Sequence, residues 1–248
     1  MRTSITIFII SFISIPFFGQ NGQSNPNIWT ESWLTGNYSY NLNEKWAFKF
    51  DEQLRFKNIN EPLQRVLSEF KIEHYSNKKV TKNRVFKWGL GYRYYFKKDK
   101  NKSPQIYNQF YRYHYQVAMK WFVNRLSIYE RIQFQNRREY FENNSIKTRK
   151  YWRFKTTISY NIKGWKFDPK FGVEFFRRTL DHENSQRNKY RLFLGTKKKL
   201  NKNQILYLKY FYEKEIKPSK PNTVHVVSLK YSYQKNKHTK KYSANKIE

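Results

Sequence analysis

The sequence predicts an all-β chain, a transmembrane, antiparallel, up-and-down β-barrel of ten to twelve strands with twelve the expected number. Three observations predict it. From Ile28 to Tyr233, eleven successive segments alternate with period two, one face aromatic or aliphatic and the other basic; side chains of a strand point to opposite faces with that period. The segments run to about eleven to thirteen residues, roughly twice a typical soluble strand and enough for the nine to eleven residues of a tilted membrane strand. Finally, 20% of residues are aromatic while 27% are charged, a combination suited to an outer surface in hydrocarbon and an inner one in water.

Ahead of the first segment, Arg2 precedes an apolar run over 5–18 broken only by Ser, Thr and Pro16, followed by Gly19-Gln20-Asn21-Gly22. The run is too short to cross a bilayer as a helix and fits the apolar region of a secretory leader. Residues 1–22 are therefore expected to be a cleavable signal peptide, 23–233 the barrel and 234–248 a polar, basic C-terminal tail. With no cysteine anywhere, a lipoprotein anchor and a disulfide framework are both excluded. Export to the bacterial outer membrane also changes the meaning of the +32 formal charge. In a cytoplasmic protein it would point to nucleic acid; here it points to anionic headgroups or anionic solutes, and no nucleic acid is expected as a partner.

The elements follow in order: 28–40, 45–56, 64–75, 84–96, 105–117, 122–135, 148–160, 165–176, 187–197, 204–215 and 223–233. In the second, Trp46, Phe48, Phe50, Leu54 and Phe56 share one face, while Lys45, Lys49, Asp51, Gln53 and Arg55 share the other. The fourth carries Phe86, Trp88, Leu90, Tyr92, Tyr94 and Phe96 on its oily face, the seventh Trp152, Phe154, Ile158 and Tyr160, the tenth Leu206, Leu208, Tyr210 and Tyr212. A soluble barrel with this face inward would have to hold roughly four to six large apolar side chains on nearly every strand, more than such an interior takes. The oily face is thus expected to meet lipid. Gly89, Gly91, Gly172 and Gly195 fall on the polar face, as a crowded lumen requires. Connections over 41–44, 118–121, 161–164 and 198–203 are short and those over 97–104, 136–147, 177–186 and 216–222 longer and polar, the habit of periplasmic turns and external loops; 76–83 is intermediate. Eleven segments conflict with the even strand number usual for single-chain bacterial barrels, so one strand is expected to be missed or spurious.

The polar face supplies the candidate functional residues: Arg55, Arg65, Arg93, Arg112, Arg125, Arg131, Arg153 and Arg191, with Glu69, Glu174 and Glu213 as acidic partners. Lys71, Arg149, Lys209, Asp51 and Glu73 belong to the same set. A lumen with more cations than acids carries a positive potential and favours anions; the same Arg–Glu ladders could instead fill a narrow barrel as a plug. A structural or envelope-interaction role and passage of small anionic solutes both remain open, and so do a barrel enzyme acting on outer-leaflet lipid or peptide and an exported polyanion-binding protein. For an enzyme the candidates are His74-Tyr75-Ser76 and Asp181-His182-Glu183; His114 reads as a lumen hydrogen-bonding group, and His225 and His238 have no partner pattern. No metal-ligand cluster, phosphate loop or nucleophile elbow is found, so no cofactor is expected. Lys97-Lys98-Asp99-Lys100 and Lys197-Lys198-Lys199 are expected on the rims beside outer-membrane lipids and lipopolysaccharide. The barrel-assembly machinery and small anions complete the expected partners.

Glu52-Gln53-Leu54-Arg55-Phe56 repeats as Glu130-Arg131-Ile132-Gln133-Phe134, in each case placing a Glu on the oily face where a rim Arg or Lys would meet it. These segments, Trp33 and Trp46, and Gly89-Leu90-Gly91-Tyr92-Arg93-Tyr94 together resemble the small outer-membrane β-barrel proteins of Gram-negative bacteria grouped as a domain of unknown function. The resemblance covers residues 28–233. It implies an outer-membrane barrel and brings no catalytic residues with it. The polar tail after Tyr233 departs from the aromatic C-terminus that many such proteins use as an assembly signal.

Overall fold

Alternation decides which way each strand faces, and closing the sheet turns the two faces into a wall and a lumen. The computed structural model describes residues 28–57, 63–76, 84–98, 107–141, 145–179, 188–216 and 221–237. Eleven strands form the ring: β1 (Ile28–Asn41), β2 (Trp46–Lys57), β3 (Leu63–Ser76), β4 (Arg84–Lys98), β5 (Tyr107–Val123), β6 (Leu126–Tyr140), β7 (Ile146–Tyr160), β8 (Asp168–Arg178), β9 (Asn188–Lys199), β10 (Gln204–Ile216) and β11 (Thr223–Asn236). Sequence neighbours pair antiparallel, and β1 closes the barrel on β11. Residues 1–27, which include the expected leader, Asp181-His182-Glu183, His238 and the Asp99-Lys100 end of the first basic run lie outside the described residues, as do residues 238–248.

The expectation of twelve strands is corrected to eleven among the described residues. The even number follows only if the first and last strands meet antiparallel. Here β1 and β11 run parallel, in register from Ile28 opposite Thr223 to Asn41 opposite Asn236. A parallel seam lets an odd number close, so the eleven alternating segments are all true strands.

Two predicted connections shift. The turn expected at 118–121 is strand, and β5 and β6 instead meet in a two-residue hairpin at Asn124-Arg125, with Val123 opposite Leu126. Asn124 takes the positive φ of 52° that such turns require and that Asn tolerates better than most residues. The loop expected over 136–147 contracts to 141–145 because β6 continues to Tyr140, its closing bond running from the Phe141 amide to the Ser145 carbonyl at 3.1 Å. β11 likewise runs past Tyr233 to Asn236. At the β1–β2 turn, Asn43 Oδ1 accepts the Lys45 and Trp46 amides, both at 2.8 Å.

The oily face is the outer wall. Phe70 and Leu90 are 58% and 54% exposed there, among many exposed apolar side chains. All the fourth-, seventh- and tenth-strand residues assigned to the oily face lie on this wall. Neighbouring rings pack across strands, Phe50 against Phe70 at 4.7 Å and Phe134 against Trp152 at 5.1 Å. Near the short-turn end, Trp46, His74 and Trp88 form a girdle, His74 lying 4.7 Å from Trp46 and 5.3 Å from Trp88. Glu52 does face outward, and among the described residues its partner is the Ser68 hydroxyl at 2.6 Å, with no Arg or Lys.

Inside, glycine at two positions is dictated by close approach. A Cβ on Gly91 would fall 2.1 Å from the His114 ring, and one on Gly172 would fall 2.3 Å from the Phe193 ring. Removing these side chains lets the neighbouring rings lie flat against the inner wall. Apolar clusters also sit inward: Trp33, Phe193, Phe211, Val224 and Val226 in one, Leu67, Tyr95 and Phe110 in the other.

Candidate functional site

Each inward carboxylate collects cations from neighbouring strands. Glu174 on β8 is 1% exposed and accepts Arg131 and Arg153 at 2.7 Å each and Arg191 at 3.4 Å. Glu69 on β3 holds Lys71 at 2.7 Å and Arg93 at 2.9 Å, with His114 Nδ1 at 3.8 Å. Asp51 joins Lys71 and Lys230, the latter at 2.8 Å across β1, and accepts the Asn37 amide at 3.0 Å. Glu73 holds Lys49 at 2.6 Å and Lys87 at 3.0 Å and accepts Gln116 at 2.9 Å. Glu213 binds Lys189 at 2.6 Å and Arg191 through Nε at 2.9 Å. A buried carboxylate is tolerated only with such pairing.

Arg55 and Arg65 are inward as expected, in the long-loop half, where Arg55 meets aromatic and amide groups and Arg65 a carboxylate. Arg55 lies 3.9 Å over the Trp33 ring and donates to Gln53 at 2.8 Å. Arg191 covers the same indole at 5.2 Å. Trp33 donates its Nε1 hydrogen to Glu31 at 2.7 Å, and Arg65 approaches Glu31 at 3.8 Å. Arg125 is corrected: it sits exposed in the β5–β6 hairpin, outside the lumen. A strand drawn through that turn carried the alternation over it and assigned Arg125 to the inner face.

The strand register creates a feature that single-strand reading does not show. Arg93 is directly opposite Arg112, Arg112 opposite Arg137, and Arg137 opposite Arg149, so four guanidiniums cross β4 to β7 in one row of the inner wall. Glu69 serves Arg93 at one end; Glu139 serves Arg137 and, at 3.3 Å, Arg149 at the other. Arg112, in the middle, stacks over Tyr95 at 5.7 Å and has no ion pair with a described carboxylate. Like charges placed directly across strands repel.

A cavity of about 210 Å³ occupies the barrel waist, lined among others by Asp51, Glu69, Glu174, Lys71, Arg93, Arg131, Arg153, Lys155, Arg191, Lys209 and Lys230. Lys155 and Lys209 both lie over the Phe193 ring, at 4.7 and 5.4 Å, and neither forms an ion pair with a described carboxylate. The cations facing this space outnumber the carboxylates.

The histidines offered for catalysis are placed otherwise. His74 is held between two indoles of the girdle, and the Ser76 hydroxyl donates to the Phe86 carbonyl at 3.3 Å. His225 lies on the outer wall with Nδ1 2.6 Å from the Tyr210 hydroxyl.

A family model described as "Protein of unknown function (DUF2490)" matches residues 30–224. The chain belongs to that family. The match spans β1 to the first residues of β11, so the unit the family shares is the barrel itself. Among solved structures, the chain is similar to one described as "NanC porin structure in rhombohedral crystal form", with a TM-score of 0.54 and 11% identity over 82% of this chain and 97% of that one. At that identity the likeness is one of fold, a porin-like barrel. Comparison with curated proteins finds no match.

The lumen residues not anticipated from sequence include Glu31, Lys87, Arg137, Glu139, Lys155, Lys189 and Lys230, together with the inward aromatics Trp33, Phe176, Phe193 and Phe211. Parity held the signal for the aromatics: Phe193 is two residues from Arg191, and Phe211 two from Glu213, on the same face. Arg137 and Glu139 fell in the segment read as loop.

Proposed function

We propose that this member of the family is an integral outer-membrane barrel whose basic lumen takes up and passes small anions. The observation that carries the reading is the row Arg93–Arg112–Arg137–Arg149, with Arg112 lacking a carboxylate of its own among the described residues. An anion entering from the long-loop end meets donors that are already positioned and mutually repelled, so its arrival relieves repulsion as well as forming charge-assisted hydrogen bonds. Lys155 and Lys209 at the waist continue the path toward the short-turn end. The waist cavity of about 210 Å³ limits passage to small ions. Exposed apolar side chains on the outer wall, the porin-like fold and the apolar N-terminal run expected to be a leader support the membrane location.

Planar-bilayer recording under a potassium chloride gradient tests this. A reversal potential showing chloride preference is expected, and Arg112→Gln should lower the chloride-to-potassium permeability ratio. Cation preference, or absence of conductance in several heat-modifiable preparations, would overturn the proposal.

A further inference from the structure

We propose that the outer wall over β5–β8, at the long-loop end, binds the phosphorylated sugar headgroup of a membrane glycolipid. The inference rests on the membrane reading above and concerns the opposite face of the wall from the anion path.

A concavity of about 710 Å³ opens on this part of the wall, lined by Tyr92, Tyr111, Tyr113, Tyr140, Phe141 and Arg138 among others. The register makes it one surface: Tyr92 lies opposite Tyr113, and Tyr111 opposite Arg138. The phenol rings pack on each other, Tyr92 to Tyr113 and Tyr111 to Tyr140 at 5.1 Å each. Arg138 is exposed and makes no ion pair or side-chain hydrogen bond with a described residue. Two more cations continue from it on successive strands of the same outer face. Lys150 of β7 stands opposite Asn136, and Arg177 of β8 stands opposite Trp152. Both are exposed and likewise have no described carboxylate partner.

An interfacial girdle accounts for tyrosines at a barrel rim. It does not account for three unpaired cations on one arc. The outward carboxylates of the described strands lie elsewhere, Glu52 on β2 and Glu130 toward the short-turn end of β6. Over β1–β3 the corresponding height carries Thr30, Phe56 and Val66. The charge is therefore denser here than over β1–β3, although Lys98 on β4 and Lys214 on β10 also face outward near this rim, and it faces the headgroup layer, because Arg138 and Arg177 lie within the last residues of their strands.

Phosphate matches this arrangement in charge and in shape. A guanidinium holds a phosphate by two parallel hydrogen bonds, and an ammonium adds a point charge. Arg138 is level with Thr148 and Arg177 with Trp152 on the intervening strand, so the two lie about 16 Å apart at normal strand spacing and rise, with Lys150 between them; their long side chains suit a headgroup bearing more than one phosphate. The phenol hydroxyls and ring faces on β4–β6, beside Arg138, suit sugar hydroxyls and the apolar face of a sugar ring.

The test uses the full-length protein in nanodiscs of phosphatidylcholine doped with lipopolysaccharide or with phosphatidylglycerol, and native mass spectrometry to count retained lipid. Wild type should retain the glycolipid in preference to either phospholipid. Triple replacement Arg138→Gln, Lys150→Gln, Arg177→Gln should cut glycolipid retention by about tenfold or more, given the usual attraction of each basic residue to an anionic surface. Lys235→Gln, on the outer face at the other rim, should leave it unchanged. A heat-modifiable gel shift confirms that each variant is folded. Equal retention by the folded triple variant, or equal retention of phosphatidylglycerol by wild type, would overturn the inference. Failure of wild type to insert into any disc would overturn the membrane reading instead.

Discussion

Replacing Glu174 by Gln removes one negative charge from the most enclosed carboxylate of the lumen. Its neighbours give the size of the effect. Arg131 and Arg153 each reach Glu174 at 2.7 Å and make no ion pair with any other described carboxylate, whereas Arg191 keeps Glu213. The substitution therefore strands two mostly buried guanidiniums, their side chains 18% and 13% exposed. Removing one partner of a buried ion pair costs about 3–5 kcal/mol, most of it the uncompensated charge left behind. Glu174→Gln should accordingly destabilise the barrel by about 3–5 kcal/mol. Equilibrium urea unfolding in lipid vesicles, followed by tryptophan fluorescence and by the heat-modifiable gel shift, measures it. Adding Arg153→Gln should recover about 1–3 kcal/mol, because contacting residues couple by that amount. A loss below about 1 kcal/mol, the range of a solvent-exposed pair, would show that water screens the lumen and that these contacts do not hold the wall together.

Three further outcomes are expected. Asn41→Cys with Asn236→Cys should form a disulfide on mild oxidation, since the two amides already touch at 2.6 Å across the seam; an inserted twelfth strand would part them by about 10 Å and prevent it. Gly91→Ala should destabilise by about 1–3 kcal/mol through overpacking against His114, and His114→Ala in the same chain should restore most of the loss in a urea titration; no rescue would remove the close-approach argument. Leu90→Arg on the outer wall should cost about 2–4 kcal/mol of folding into vesicles if the wall faces the bilayer midplane, while an unchanged folding yield and stability would place that wall in water.

Most of the strands were legible because alternation is a local property. Trp46 to Phe56 announces its own two faces, and so do the fourth, seventh and tenth strands. What was not legible arises between strands. Nothing within Tyr107–Val123 states that Arg112 will stand beside Arg93 and Arg137, because register is set by where the hairpins turn. One missed turn at Asn124-Arg125 was enough to send Arg125 to the wrong place and to leave Glu139 in a loop. The strand count failed differently. Eleven segments were visible, and an even-number expectation displaced that number because a parallel closing pair leaves no mark in either strand alone. The inward aromatics were obscured by composition: Phe193 and Phe211 look like wall residues until their parity with Arg191 and Glu213 is followed.

The parallel seam also decides which compartment each end of the barrel reports on. β1 begins at the long-loop end and β11 finishes at the short-turn end, so a probe attached just before Ile28 and one attached just after Asn236 lie on opposite sides of whatever the wall divides. In a barrel with an even strand count both probes would emerge together. Two small tags, each accessible only from its own side, would therefore report the odd number and the orientation in a single measurement.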